Sequence, residues 1–317
     1  MTVACSLLSC AYEDEDRALT IEDYAGAIPR WCPGCGDHAI LTAVEKLLEA
    51  EQLPPERTVF VSGIGCSSRF PHYLKTYGFH GIHGRALPVA TGIKLRRPDL
   101  HVFAVMGDGD CCSIGAAHWV HATRYNTHMV ALLLDNAIYG LTKNQTSPTT
   151  PQGFPSNTQP KGTYLRALNP LTATLGVTNA SFVAQTADWI PAHLYATLRA
   201  AYHHGGFAFV RILQRCPQYS DSLFTPAARE PGRNQILVHP NGITVPELDH
   251  VYRNRLEHDP SDLHRARELA EDASVFRLGL FYRDAAAPRY NEIRAVPQRT
   301  PAEKVELLDR ELDRYAV

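Results

Sequence analysis

The stretch between residues 102 and 134 constrains the fold most. Val102 to Met106 is a short, purely apolar run, Ser113 to Tyr125 has helical composition, and Met129 to Leu134 is a second apolar run. Apolar runs of this length read as buried strands rather than helices. Two strands joined by a helical crossover lie parallel, because an antiparallel pair would take a short hairpin. Parallel sheets need cover on both faces. The neighbouring sequence supplies the parts: Thr58 to Val61 and Phe207 to Leu213 read as further strands, and Trp189 to His203 reads as a helix. His38 to Ala50 sets Ile40, Val44, Leu47 and Leu48 on one helical face. The expectation is an α/β chain built on a parallel sheet with helices on both faces.

The 317 residues suffice for about two domains, or one large α/β domain with extensions. The periodic segments fall between about residues 28 and 216, which predicts an N-terminal arm over 1–27 and a C-terminal extension over 217–317. Beyond Pro217 the composition turns to Pro, Asn, Asp and Arg, with two clear helices. One begins near Ser261; the other has Thr300 as N-cap, Pro301 at N1 and Glu303 at N3. That last helix aligns Val305, Leu308, Leu312 and Tyr315 in one stripe, which calls for a packing partner. Both arms read as wrapping segments that bury little by themselves.

Charge and hydropathy narrow the functions. Lys+Arg 31 against Asp+Glu 33 gives a net charge of -2, leaving no basic surplus for nucleic acid or an anionic membrane. The apolar runs fall far short of a membrane span. Ala4 to Ala11 is short and Cys-bearing, and Glu13, Asp14, Glu15 and Asp16 follow it, the wrong flank for a secretory signal. A cytoplasmic protein is expected. Eight cysteines, at 5, 10, 32, 35, 66, 111, 112 and 216, then point to metal ligation or chemistry rather than to disulfides.

Gly107-Asp108-Gly109-Asp110 follows one strand and Asp135-Asn136 the next, so both lie at carboxyl ends of parallel strands, where open α/β sheets bind ligands. Asp108 and Asn136 could clamp a diphosphate through Mg²⁺, which takes hard oxygen ligands and keeps substrate phosphates in its shell. The glycines let backbone N–H groups approach phosphate. Taken singly, each group is equally readable as an ordinary turn. Cys32 and Cys35 share a Pro-Gly turn that lets two thiolates point at one metal centre, and Cys216 precedes a proline.

A set of words in one order carries a resemblance. Trp31-Cys-Pro-Gly-Cys-Gly36, Gly63-Ile-Gly-Cys-Ser67, His83-Gly-Arg-Ala-Leu-Pro-Val-Ala-Thr-Gly92, Gly107-Asp-Gly-Asp110, Tyr139-Gly-Leu-Thr-Lys143 and Ser147-Pro-Thr-Thr150 resemble the β subunit of 2-oxoacid:ferredoxin oxidoreductases, most closely the 2-oxoglutarate type. The likeness covers about residues 28–220. It implies a thiamine diphosphate-binding domain of the diphosphate type and a [4Fe-4S] cluster on Cys32, Cys35, Cys66 and Cys216. It assigns Mg²⁺ to Asp108, Asn136 and the main-chain oxygen of Ile138, with Gly107, Gly109 and Asp110 on the diphosphate side. Gly65, Cys66, Ser67 and His83 would line the thiamine pocket, with Gly140, Leu141 and Thr142 also on the cofactor. Arg69 and Lys143 are the candidate cations for the substrate carboxylates, grouped with His83 as catalytic.

The implied activity is coenzyme A-dependent oxidative decarboxylation of a 2-oxo acid, with electrons passing through the cluster to ferredoxin. Two cations favour 2-oxoglutarate over pyruvate or branched 2-oxo acids. The chain has room for one of the two domains that sandwich thiamine diphosphate, so an α subunit is implied, which supplies the glutamate that activates the cofactor, in an (αβ)n heteromer. Two departures stand out: Asn144 replaces a common glycine, and Cys111 and Cys112 stand where small or apolar residues are usual, which reads as buried packing. Cys5 and Cys10 read as free thiols in the arm. A non-oxidative thiamine enzyme would need no cluster, and a zinc-binding scaffold would need no thiamine.

Overall fold

The computed structural model describes residues 17–293 and 299–315. Nine strands form one sheet: β1 (Thr58–Ser62), β2 (Tyr77–His80), β3 (His101–Gly107), β4 (Met129–Asp135), β5 (Phe182–Ala187), β6 (Phe207–Leu213), β7 (Asn234–Val238), β8 (Arg255–Glu257) and β9 (Phe276–Arg283). Their order is β2-β1-β3-β4-β6-β5-β9-β7-β8. The pairings from β2 to β5 are all parallel, as the crossover argument requires, and β9 joins β5 antiparallel.

Alternation along each strand builds two cores. On one face Phe60, Phe103, Val105, Val130, Leu132 and Val210 pack under helices Asp37–Ala50 and Pro191–Tyr202. On the other, Val59, Val61, Ala104, Met106, Ala131, Leu133 and Phe209 pack under helices Ala86–Arg96, Ala116–Tyr125, Pro170–Gly176 and Leu263–Glu271. Each Val, Leu, Met or Phe among them contributes about 1.5–3 kcal/mol when fully buried. Register adds to this: Phe60 lies opposite Phe103, and their rings stack with centroids 4.8 Å apart, worth about 0.5–1.5 kcal/mol beyond area.

Two expectations change. The helix expected from Ser113 is preceded by a wide turn over Asp110–Ile114, runs over Ala116–Tyr125 and stops at Asn126, whose φ of 49° is left-handed. More importantly, the segment after residue 217 extends the sheet instead of merely covering it. Strands β7, β8 and β9 come from it, and Leu278, Leu280 and Phe281 are buried. Gly279, at φ +140°, is required where β9 meets β7, since a Cβ there would lie 2.7 Å from Leu237 Cβ.

The N-terminal arm is pinned by Tyr24, which is buried and donates its hydroxyl to the carbonyls of Leu48 and Leu53. Its Cys5 and Cys10 lie outside the described residues. The final helix, Pro301–Asp313, carries the expected capping box at Thr300 and Glu303. Its stripe of Val305, Leu308, Leu312 and Tyr315 stays 57–79% exposed.

Candidate functional site

The carboxyl ends of β1, β3 and β4 open on a cavity of about 310 Å³. All thirteen residues expected on the cofactor line it: Gly65, Cys66 and Ser67 after β1, His83, then Gly107, Asp108, Gly109 and Asp110 after β3, and Asn136, Ile138, Gly140, Leu141 and Thr142 after β4. Ile64, Leu134, Tyr139 and Gln145 complete the wall. Tyr139 opens the Tyr-Gly-Leu-Thr-Lys motif, and the sequence assigns it no role of its own. Its hydroxyl donates to Gly109 O at 3.1 Å, and its ring covers Gly109 so closely that a Cβ there would collide with it.

The two strand-end motifs differ in how they hold charge. Asp108 is 2% exposed, and burial together with the neighbouring Asp135 pushes its carboxyl up to about 7. A carboxylate in that position needs a cation to stay ionised at little cost. Asn136 is buried, its amide oxygen accepting from Ile138 N–H at 3.1 Å with a second lone pair to spare. Ser220 Oγ and Thr150 Oγ1 donate to the carbonyls of Asn136 and Ala137, fixing the turn.

Asp110, in the cavity wall, bridges two loops. Its Oδ1 accepts from Ile64 N–H at 3.1 Å, Gly84 N–H at 2.7 Å and His83 Nδ1 at 2.6 Å, tying the loop after β1 to the His83 loop. A carboxylate accepts, so Nδ1 of His83 carries a proton, and in the neutral ring Nε2 is the acceptor. Asp110 Oδ2 and Ser67 Oγ are buried in the wall without a hydrogen-bond partner among the described residues. Unsatisfied polar atoms in a lined cavity fit a polar ligand.

The cysteines converge beside this wall. A Cβ at Gly140 would lie 3.6 Å from Cys66 Sγ and 4.0 Å from Cys216 Sγ, so the glycine keeps the space between the two sulfurs open. The Cys32–Cys35 turn is brought to them by Gly34, at φ +79° against Pro217, and by Gly36 N–H donating to Arg215 O at 3.0 Å. Trp31 Nε1 donates to Cys66 O at 2.7 Å. Burial, with Asp37 and the other thiols, pushes Cys66 up to about 12 and raises Cys35 further. Thiolate ligation therefore draws on the charge of a bound metal. Cys32, Cys35, Cys66 and Cys216 are free thiols. Among the described residues no group of three or more His, Cys, Asp or Glu is arranged to hold a metal ion. Cys111 and Cys112 are buried among Ala86, Leu87, Met106 and Trp119, as packing residues would be.

Arg69 and Lys143 stand just outside the lining. Arg69 lies over the Tyr73 ring at 5.7 Å and donates to Arg30 O, and Lys143 is exposed. Lys143 and Asn144 have φ of 71° and 62°, so Asn144 adopts the left-handed backbone for which glycine is usual.

Comparison with known proteins follows the same lines. Residues 63–212 match the family model described as thiamine pyrophosphate enzyme, C-terminal TPP binding domain. The 2-oxoglutarate oxidoreductase subunit KorB of Mycobacterium tuberculosis is 48% identical over 208 residues, which is 66% of this chain and 56% of that protein. The 2-oxoacid:ferredoxin oxidoreductase subunit beta of a Sulfolobus species is 36% identical over 83% of this chain and 84% of its own length. The chain belongs to the 2-oxoacid:ferredoxin oxidoreductase β-subunit family. A solved 2-oxoglutarate:ferredoxin oxidoreductase from Magnetococcus marinus, with 2-oxoglutarate, coenzyme A and succinyl-CoA bound, is similar to this β-subunit-family chain with a TM-score of 0.77 and 32% identity. That match covers 93% of this chain and 97% of the other. No helix among the described residues is long and apolar enough to cross a membrane.

Proposed function

We propose that this chain, with an α subunit, carries out coenzyme A-dependent oxidative decarboxylation of 2-oxoglutarate to an acyl-CoA and CO₂, passing two electrons singly through a [4Fe-4S] cluster to ferredoxin in the cytoplasm. The supporting observation is the meeting, at one cavity, of the Gly-Asp-Gly-Asp strand end, Asn136 after the next strand and Cys66, with Cys216 Sγ beside the lining residue Gly140. Thiamine diphosphate supplies carbanion stabilisation, and the cluster supplies a one-electron acceptor.

The chain's own residues do the holding. Asp108, Asn136 and the Ile138 carbonyl present hard oxygens to Mg²⁺, and Gly107 and Gly109 admit the diphosphate to their backbone. Cys32, Cys35, Cys66 and Cys216, free thiols in this structure, would hold the cluster. His83, oriented by Asp110, offers Nε2 as a proton acceptor at the cavity. Arg69, two residues beyond the lining residue Ser67, and Lys143, next to the lining residue Thr142, pair with the substrate carboxylates at the rim. Residues 28–216 form the unit that carries this chemistry, between an arm over 1–27 and an extension over 217–317 that completes the sheet. Anaerobic co-purification with the α subunit tests the reading. About four iron and four acid-labile sulfides per chain, with 2-oxoglutarate-dependent reduction of ferredoxin, is the expected result; a colourless protein containing zinc would refute it.

A further inference from the structure

The cation site lies beside two buried carboxylates with different surroundings. Asp135, at the end of β4, is neutralised: Arg211 on β6 places Nη2 2.6 Å and Nε 2.7 Å from its Oδ2, and Ala137 N–H donates to its Oδ1 at 3.1 Å. Asp108 has no cationic side chain paired with it among the described residues. One hydroxyl joins the two. Thr149 Oγ1 lies 2.8 Å from Asp108 Oδ2 and 2.8 Å from Asp135 Oδ1. A hydroxyl carries a single proton, so it serves the two oxygens by standing between them.

Thr149 cannot drift, because its turn is closed. Ser147 N–H donates to Thr150 Oγ1 at 2.8 Å, and Thr150 Oγ1 donates to Ala137 O at 2.7 Å. Ser147, Thr149 and Thr150 are all buried. The Ser147-Pro-Thr-Thr150 turn thus grips the loop bearing Asp108 with the hydroxyls of Ser147 and Thr149, and the turn bearing Asn136 with that of Thr150.

We propose that Ser147-Pro-Thr-Thr150 is a positioning clamp for the divalent cation, in which Thr149 fixes Asp108 through Oδ2 and leaves Oδ1 for the metal, while Arg211 satisfies Asp135 and keeps it from competing. The inference rests on the reading that the cation binds at Asp108. Thr149 touches neither cofactor nor substrate and acts through that carboxylate.

The test uses the full-length chain co-purified with its partner subunit and titrated with Mn²⁺, read by electron paramagnetic resonance. Thiamine diphosphate binding at low and high Mg²⁺ is then followed by circular dichroism. Thr149→Val keeps the branched shape and removes the hydroxyl; it should weaken Mn²⁺ about 10- to 100-fold, as loss of a ligand-orienting partner does, while Thr149→Ser stays within about threefold of wild type. Cofactor binding by Thr149→Val should fail at low Mg²⁺ and recover at high Mg²⁺, with iron content unchanged, a pattern that a merely structural lesion would not produce. Wild-type Mn²⁺ affinity in Thr149→Val, with affinity lost in Asp108→Asn, overturns the clamp alone. Wild-type affinity in Asp108→Asn overturns the cation reading beneath it. If Thr149→Val does not fold, Thr149→Cys, whose thiol donates weakly, should give an intermediate loss, and wild-type affinity there overturns the clamp equally.

Discussion

Replacing Asp110 with asparagine should cost the fold and the site together, and the cost can be worked from its contacts. One carboxylate oxygen accepts from Ile64 N–H, Gly84 N–H and His83 Nδ1 at 3.1, 2.7 and 2.6 Å. A hydrogen bond to a charged group contributes about 1.5–3 kcal/mol and a neutral one about 0.5–1.5, so three bonds lose about 3 kcal/mol. The buried Oδ2 also becomes an NH₂ without an acceptor, which adds at least about 1 kcal/mol. A total near 4 kcal/mol should lower Tm by about 8 °C at roughly 2 °C per kcal/mol for a chain of this size. Calorimetry of the intact complex reads this directly. Gly63→Ala supplies an independent route to the same carboxylate, because a Cβ on Gly63 would collide with Asp110 Oδ2. Since both substitutions dislodge one group, their effects should fall well short of additive in the double variant. An Asp110→Asn Tm within about 1 °C of wild type, or strict additivity with Gly63→Ala, would refute the reasoning.

Further outcomes follow from the same geometry. Cys216→Ser should lose the iron that Cys112→Ala retains, because Cys216 Sγ faces the space beside Gly140 while Cys112 is buried in the core; colorimetric iron and sulfide assays decide, and equal loss in both would sink the ligand assignment. Lys143→Met and Arg69→Met should lower kcat/KM for 2-oxoglutarate about tenfold or more and for pyruvate much less; parallel losses would mean that the cation serves the carboxylate common to both substrates. His193 is fully buried, and burial holds its imidazole down to about 4. Between pH 6.5 and 4 the unfolded chain then binds the proton and the folded chain does not, so stability falls as pH falls, by up to about 3 kcal/mol from this group. Asp188, pushed up to about 6 by burial, titrates with the opposite sign, so the comparison is wild type against His193→Gln; an unchanged pH slope in urea denaturation would contradict the assignment.

The sheet was legible wherever one short run of chain contained its own argument. Met129 to Leu134 reads as a strand because every residue is apolar, and it is buried throughout. The strand Phe182–Ala187 carries Gln185 and Thr186, which break its apolar run. Both are buried and satisfied, Gln185 by Arg277 O and Arg211, and Thr186 by His193. Such partners lie as much as 92 positions away. The same holds for β9, whose place beside β5 depends on a bulge at Val183/Ala184 and on Gly279. The four-residue β2 offered only Tyr77 and Phe79 to read; all four of its residues are exposed, and it pairs with β1 alone.

The site divides along the same line. Glycines and carboxylates at strand ends are read locally, because a parallel strand's carboxyl end is a ligand position wherever the strand sits in the sheet. That is why the expected cofactor residues gather round one cavity. What holds them is set by sheet order. Asp108 follows β3, Asp135 ends β4 and Arg211 belongs to β6, so the chain of contacts from Arg211 through Asp135 and Thr149 to Asp108 exists only because β3, β4 and β6 are neighbours. In sequence those four residues span more than a hundred positions, and no spacing rule joins them. The residues that meet a ligand are therefore visible in short motifs, while those that aim them appear only when the strands are laid side by side.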